Sequence, residues 1–198
     1  RRSHGWLSPP GLGITLSCLK HFAGGPAVLS GLSIAMGVCV VHALADTGVP
    51  GLQLKWPNDV WLRDRKLAGI LIETASLGEM RYAVIGIGIN LLASDAHGLS
   101  TPAAWLGEVV PELDAPQTLR RLVAPLVSAI QRFEHQGFAP LQAQFNARDA
   151  LDGVAVTLSD GTSGMAKGVD KQGALQVETA QGLQKITSSE VSVRPLTP

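Results

Sequence analysis

Several short stretches carry side chains able to hold an anion or a nucleotide. In Lys55-Trp56-Pro57-Asn58-Asp59 the preceding run is apolar, and Pro57 ends any sheet pairing. Asn58 and Asp59 therefore offer an amide and a carboxylate at a strand end, a common place for ligand contacts. The same residues can also close an Asx turn, with Lys55 in solvent. Arg65-Lys66-Leu67-Ala68-Gly69 puts Lys66 at the entrance of an apolar strand beside Arg63 and Arg65, aimed either into a pocket or into water. In Ile85-Gly86-Ile87-Gly88-Ile89-Asn90 the strand period of two sends the isoleucines to one face and Gly86, Gly88 and Asn90 to the other. Successive glycines weaken a strand, so a bare face ending in an amide suggests close approach of a ligand, or of another packed element. No Gly-x-Gly-x-x-Gly opens a helix here, so this is not a dinucleotide fingerprint. Arg1-Arg2, with Trp6 and Ser8-Pro9, can fold over a flat anionic ligand, guanidinium to phosphate and indole to base, or can fray as a terminus.

The elements that must position these residues follow from periodicity. Ile14–Leu19 alternates and reads as a strand, as do Leu52–Trp56 and Met80–Leu92. Val60–Leu62 and Leu67–Glu73 flank a polar tip, which predicts a hairpin. Val28–Ala45 reads as a buried helix ended by Gly48. Leu119, Leu122, Val123, Leu126, Ile130 and Phe133 recur at helical spacing, with Pro125 expected to kink that helix. Leu141, Phe145 and Ala150 suggest another helix. Beyond Ala150, short alternating stretches separated by Asp160-Gly161, Asp170–Gly173 and Gln181-Gly182 predict a small antiparallel barrel. The expected domains are residues 1–149 and 150–198.

Sixteen Lys+Arg balance sixteen Asp+Glu, so bulk positive charge cannot hold this chain on nucleic acid. Apolar residues make up 45% and charged ones 16%, which excludes a disordered chain. The longest apolar stretch, Gly31–Val41, falls short of the ~20 residues of a membrane span, and no secretory h-region follows Arg1. Cys18 and Cys39 read as small apolar residues of a reducing compartment. The histidines show no zinc spacing.

Taken in order, Arg1-Arg2 with Trp6-x-Ser8-Pro9, Lys55–Asp59, Lys66–Leu71 and Gly86–Asn90 resemble the biotin protein ligases, and Gly168–Leu175 resembles that family's C-terminal barrel. The resemblance implies an α+β fold: a mixed sheet with flanking helices, plus a small C-terminal SH3-like β-barrel. It implies ATP-dependent activation of biotin to biotinyl-5′-AMP, then transfer to a lysine of a biotin carboxyl carrier protein, with Mg²⁺ on the phosphates. Catalytic roles fall to Lys66, Asp59 and Arg1. Binding roles fall to Arg1, Arg2, Trp6, Asn58, Lys66, Gly69, Gly86, Gly88 and Asn90, with Asn90 also a candidate toward metal-bound phosphate. Lys55 becomes a supporting cation. The chain opens inside the family's Gly/Arg loop and is expected to be a fragment. Within that loop, Ser3 replaces the usual Gly and His4 the usual Arg, which weakens one phosphate contact. A lipoate or other acyl ligase of the same fold, and a biotinyl-adenylate-responsive repressor without its DNA-binding domain, are the rival readings. A cytoplasmic enzyme that binds neither membrane nor nucleic acid is expected, with a homodimer as its candidate assembly.

Overall fold

The computed structural model describes residues 11–23, 26–77, 80–93, 101–159, 161–187 and 193–195. The Arg1, Arg2, Trp6 and Ser3-His4 expectations lie outside them.

The first sheet contains β1 (Gly13–Phe22), β2 (Leu52–Lys55), β3 (Asp59–Leu62), β4 (Arg65–Leu77) and β5 (Met80–Asn90), in the order β1-β5-β4-β3-β2. Every strand pair in it is antiparallel. Parallel pairing enters through isolated bridges from Leu54 to Asp149 and from Lys66 to Ala103. Period-two alternation makes the sheet two-faced. Ile14, Ile85, Ile87, Ile89, Ala68, Ile70, Val60, Leu54 and Leu62 are buried on one face.

Helix α1 (Leu32–Ala45) packs on that face against β2, β3 and β4. It starts later than Val28, because Pro26–Leu29 forms a separate 3-10 turn and Gly31 takes φ +78°. Nearly all of α1 is buried, since apolar residues occur all round it and it is covered on more than one side. The apolar segment is also longer than the expected Gly31–Val41. Ala27–Ala45 is long and apolar enough to cross a membrane, but in this fold it supplies the central core helix.

Helix α2 (Ala115–Gln136) lies against α1. Its N-terminus is closed by a reciprocal box: Asp114 accepts from the Gln117 backbone N–H at 2.7 Å, and Gln117 Oε1 accepts from the Asp114 N–H at 3.1 Å. The helix continues through Pro125. Edge-to-face contact of Phe133 with Phe22 and the Glu134–Lys20 pair at 2.8 Å bind its end to β1. The expected second helix shrinks to a 3-10 turn over Ala139–Leu141 and a short α3 (Gln142–Asn146). Pro140 lies in that turn and has no N–H to donate to a preceding helical turn.

The second sheet joins β6 (Ala155–Leu158), β7 (Ser163–Val169), β8 (Leu175–Thr179), β9 (Gly182–Ile186) and β10 (Val193–Pro195) in the order β10-β6-β7-β8-β9. This is a small SH3-like antiparallel meander whose last strand returns beside its first.

The chain between the sheets is fastened to β2. Leu54 N–H donates to Arg148 at 2.8 Å, and Ala150 N–H donates to Leu54 at 2.8 Å. Asp149, between them, is buried. Its Oδ1 accepts from Leu151 N–H at 2.9 Å, while Oδ2 has no hydrogen-bond partner among the described residues. Burial pushes its carboxyl up to about 6, the Leu151 N–H opposes this, and Asp152 adds to it. A carboxyl whose pKa is higher folded than unfolded holds its proton more tightly when folded. Stability is therefore lost as pH rises from the unfolded value near ~4 through about 6. Asp149→Asn keeps the acceptor for Leu151 and cannot ionise. It should exceed wild type in stability by on the order of 1–2 kcal/mol at pH 8 and lose that margin near pH 4. Calorimetric melting across that range checks this, and a margin independent of pH contradicts it.

Candidate functional site

On the face of the first sheet opposite α1, cross-strand partners form a row: Lys55, Asp59, Gly69, Gly88 and Thr15. Paired residues point to the same side, so these share one surface. The neighbouring row is Leu71, Gly86 and Ser17. A Cβ built on Gly86 would meet only Leu71, with the carbonyl oxygen 3.5 Å away, and the Leu71 side chain is 53% exposed. The strip above Gly86 is thus open to a ligand. Thr15 and Ser17 come from the alternation of β1, whose pattern was read but whose hydroxyls were not assigned to the site.

Lys66 reaches this face through an irregularity. Strict alternation from Gly69, which faces the strip, would send Lys66 to the core side with Ala68. The register of β4 against β3 shifts between Val60 and Trp61, so Val60 opposes Ala68 but Trp61 opposes Lys66. The extra residue, Leu67, is fully buried. This bulge turns Lys66 onto the side of Trp61 and Asp59. Its ammonium then lies 2.8 Å from Asp59 Oδ1, with Lys66 29% and Asp59 16% exposed. Lys55 stands over the Trp61 ring, 5.1 Å from its centroid, a cation–π contact at the end of the same row. The hairpin that carries Lys66 turns at Arg63-Asp64, both at positive φ (51° and 59°), as tight two-residue hairpins require.

The Lys66 main chain is gripped as well. Lys66 N–H donates to Pro102 at 2.8 Å, and Ala104 N–H donates to Lys66 at 2.9 Å. The Asn90 amide donates to both the Lys66 and Ala104 carbonyls, at 3.2 and 3.1 Å. Arg65 grips Glu108 with both terminal nitrogens, one of them 3.0 Å from Oε1, and also reaches the Ala103 carbonyl at 3.2 Å. The guanidinium of Arg65 holds the Glu108 carboxyl below its ordinary range. The segment 102–108 is thereby clamped along the start of β4. The acid–base pattern Arg65…Glu108 spans 43 residues, too far for spacing alone to show it.

Asn58 and Asn90 thus sit where they were expected, but each spends its amide on the framework. Asn58 N–H₂ donates to the Ile70 carbonyl at 2.8 Å, and Ile70 N–H donates to the Asn58 carbonyl at 2.8 Å. Together the described residues assemble Lys66, Asp59, Asn58, Asn90, Gly69, Gly86 and Gly88 on or beside one strip. No group of three or more His, Cys, Asp or Glu side chains suited to a metal occurs among the described residues.

One face of the first sheet is apolar and buried, the other carries the glycines beside a lysine–aspartate pair, and a small second sheet follows. Residues 1–90 match the family model described as the biotin/lipoate A/B protein ligase family, and residues 153–194 match that of the biotin protein ligase C-terminal domain. The biotin–[acetyl-CoA-carboxylase] ligase of Paracoccus denitrificans is 34% identical over 203 residues, covering 96% of this chain and 84% of that protein. The bifunctional ligase/repressor BirA of Escherichia coli is 34% identical over 200 residues. That alignment takes in 98% of this chain but only 62% of the longer relative. The Aquifex aeolicus biotin protein ligase in complex with biotin and ATP superimposes with a TM-score of 0.84 at 26% identity, covering 99% of this chain and 84% of that one. The chain belongs to the biotin protein ligase family.

If Asn90 acts by holding the Lys66 main chain, Asn90→Ala leaves the Lys66 and Ala104 carbonyls short of a donor. The variant should lose about 1–3 kcal/mol of stability and exchange the Lys66 and Ala104 amide hydrogens faster. Urea unfolding and hydrogen exchange measure both. A residue that only touched ligand would change neither.

Proposed function

We propose that this protein activates biotin with ATP to biotinyl-5′-AMP and passes the biotinyl group to a lysine of a carboxylase carrier protein. The observation that carries this reading is the ammonium of Lys66 held beside Asp59 on the sheet face that carries Gly69, Gly86 and Gly88, with the space above Gly86 open. The names of its relatives supply the substrates: ligation of biotin to acetyl-CoA carboxylase, and a related structure holding biotin and ATP.

In the first step a biotin carboxylate oxygen attacks the α-phosphorus of ATP, and pyrophosphate leaves with the bonding electrons. No protein base is required, because a carboxylate is already ionised at neutral pH. The obstacle is repulsion between anions, and fixed positive charge aimed at the reacting oxygens lowers it. Lys66 would hold the carboxylate and α-phosphate together, a role supported by its ammonium's contact with Asp59 at 2.8 Å. Gly86, Gly88 and Gly69 let the acyl chain lie against backbone. Magnesium, carried in on ATP, would neutralise phosphate charge. Arg1, Arg2 and Trp6 would close over the nucleotide. In the second step the carrier amine attacks the anhydride carbonyl, AMP departs, and the amine loses a proton to solvent. An ATP-consuming enzyme with unpaired Cys18 and Cys39 belongs in the cytoplasm.

The test is to incubate the protein with biotin and MgATP without carrier and look for biotinyl-5′-AMP by mass. Carrier is then added, and its gain of a biotinyl mass is followed, with lipoate in a parallel tube. Product from lipoate and none from biotin would reverse the substrate assignment. Lys66→Ala should lower adenylate formation about 10²–10³-fold, the size of losing one transition-state donor. A near-normal pyrophosphate-release rate would remove Lys66 from this role. Gly86→Val, which fills the open strip on a strand that tolerates β-branched residues, should weaken biotin binding by about tenfold or more, an effect of ~1.4 kcal/mol. Titration calorimetry reads this, and unchanged affinity would place biotin elsewhere.

A further inference from the structure

We infer that the Asp170–Gly173 turn of the second sheet is a positioning element for the Asp59–Lys66 pair and acts through the indole of Trp56. This rests on the function proposed above. It adds a second-sheet contribution that begins far from the glycine strip in sequence.

Trp56 is buried, and its Nε1–H donates to the Gly173 carbonyl at 3.1 Å across 117 residues of sequence. The next residues are Pro57, joined through a cis peptide, then Asn58, which is laced to Ile70 in both directions, then Asp59, which holds Lys66. The indole is therefore the point where the second sheet takes hold of the segment that delivers Asp59.

The turn that receives it is built to be stiff. Asp170 is buried, and its Oδ1 accepts from Gln172 N–H at 2.9 Å and from Ala174 N–H at 3.0 Å. Its Oδ2 pairs with Lys185 at 2.9 Å. Gly173 N–H returns to the Asp170 carbonyl at 3.0 Å.

The turn is also pressed onto the first domain. Ser30 Oγ donates to the Gln172 carbonyl at 2.9 Å. Gly173, at φ +81°, has no room for a side chain: a Cβ there would lie 2.8 Å from Ile34 Cδ1 and 2.9 Å from Gly31 Cα. Gly31 is as tight, since a Cβ on it would lie 2.7 Å from the Phe138 side chain and 3.1 Å from the Gln172 carbonyl. Facing glycines thus let main chain meet main chain, a closeness that a side chain at either position would prevent. Beside them, Asn146 Oδ1 accepts from Val169 N–H at 2.9 Å, so the strand leading into the turn is held too.

A turn so fixed, with a polar link into the site, can set the position of the Trp56–Asp59 segment. Packing alone would not need the hydrogen bond. The experiment compares Trp56→Phe, which keeps a buried aromatic and loses the donor, with Asp170→Ala, which loosens the turn, and with the double variant, all in the full-length protein. Trp56→Phe should lower kcat for adenylate formation about 3–30-fold, a range appropriate to a misplaced rather than missing group, with the KM for biotin within about twofold. Because both changes break one connection, the double variant should lose no more than the larger single loss. Exchange of the Ile70 amide, which reports the Asn58 anchor without any turnover, should quicken in Trp56→Phe.

Unchanged kcat and unchanged Ile70 exchange in Trp56→Phe would overturn the inference. So would multiplicative losses in the double variant, or a loss that vanishes when activity is expressed per folded molecule. If the unaltered protein forms no biotinyl-5′-AMP, the proposed function fails while the Ile70 exchange still decides the link.

Discussion

A lysine is a poor choice for a fixed positive charge unless its surroundings restrain it. Its side chain loses about 2 kcal/mol of rotamer freedom when held, and a partly exposed ion pair returns only about 0–1 kcal/mol. The contact of Lys66 with Asp59 cannot by itself supply the restraint. What does is the main chain around it: the register shift opposite Trp61, the bridge to Ala103, and the Asn90 amide across the Lys66 and Ala104 carbonyls. With the backbone held from both sides, the side chain has only its own torsions to lose, and Asp59 selects among them.

The glycine strip depends on the opposite face of the same strands. Each glycine in a strand costs about 0.5–1 kcal/mol relative to alanine, and Gly86, Gly88 and Gly69 are close neighbours. Ile85, Ile87, Ile89, Ala68 and Ile70 alternate with them and are almost fully buried in the core. Burying one such aliphatic chain contributes about 1.5–3 kcal/mol. The apolar face therefore offsets the glycine face, strand by strand.

Much of this was legible in the residues because strand alternation is local. The split of Ile85–Asn90 into an isoleucine face and a glycine face needs only period two, and the hairpin around Arg63-Asp64 needs only short-range turn chemistry. The side of β4 that Lys66 takes was not legible, because one inserted residue reverses it and nothing in Lys66-Leu67-Ala68-Gly69 marks the insertion. The framework bonds of Asn58 and Asn90 were not legible, because their partners are backbone carbonyls, which have no sequence signature. The later start of α1 and the shortened helix after Ala139 reflect glycine and proline acting at particular φ angles, where periodicity of the apolar residues continues undisturbed. The Trp56–Gly173 link joins positions that only the packing of both sheets brings together.

Charge sets the last constraint. On this face the described residues bring Lys55 and Lys66 beside Asp59, and Glu73 lies on the same face of β4 two residues beyond Leu71. A biotin carboxylate and a triphosphate together bring several negative charges. Neither the Lys66–Asp59 pair nor the Lys55–Trp61 contact can balance them, and in a water-excluding site an unbalanced anion is expensive. The remainder must come from cations that arrive with the ligands or close over them. In the proposed reaction magnesium on the triphosphate would be one source, and Arg1-Arg2 another. For that task a permanent guanidinium has the advantage of a fixed charge and a planar set of donors. In the proposed reaction the sheet would position the reacting oxygens, while most of the neutralising charge would arrive with the nucleotide.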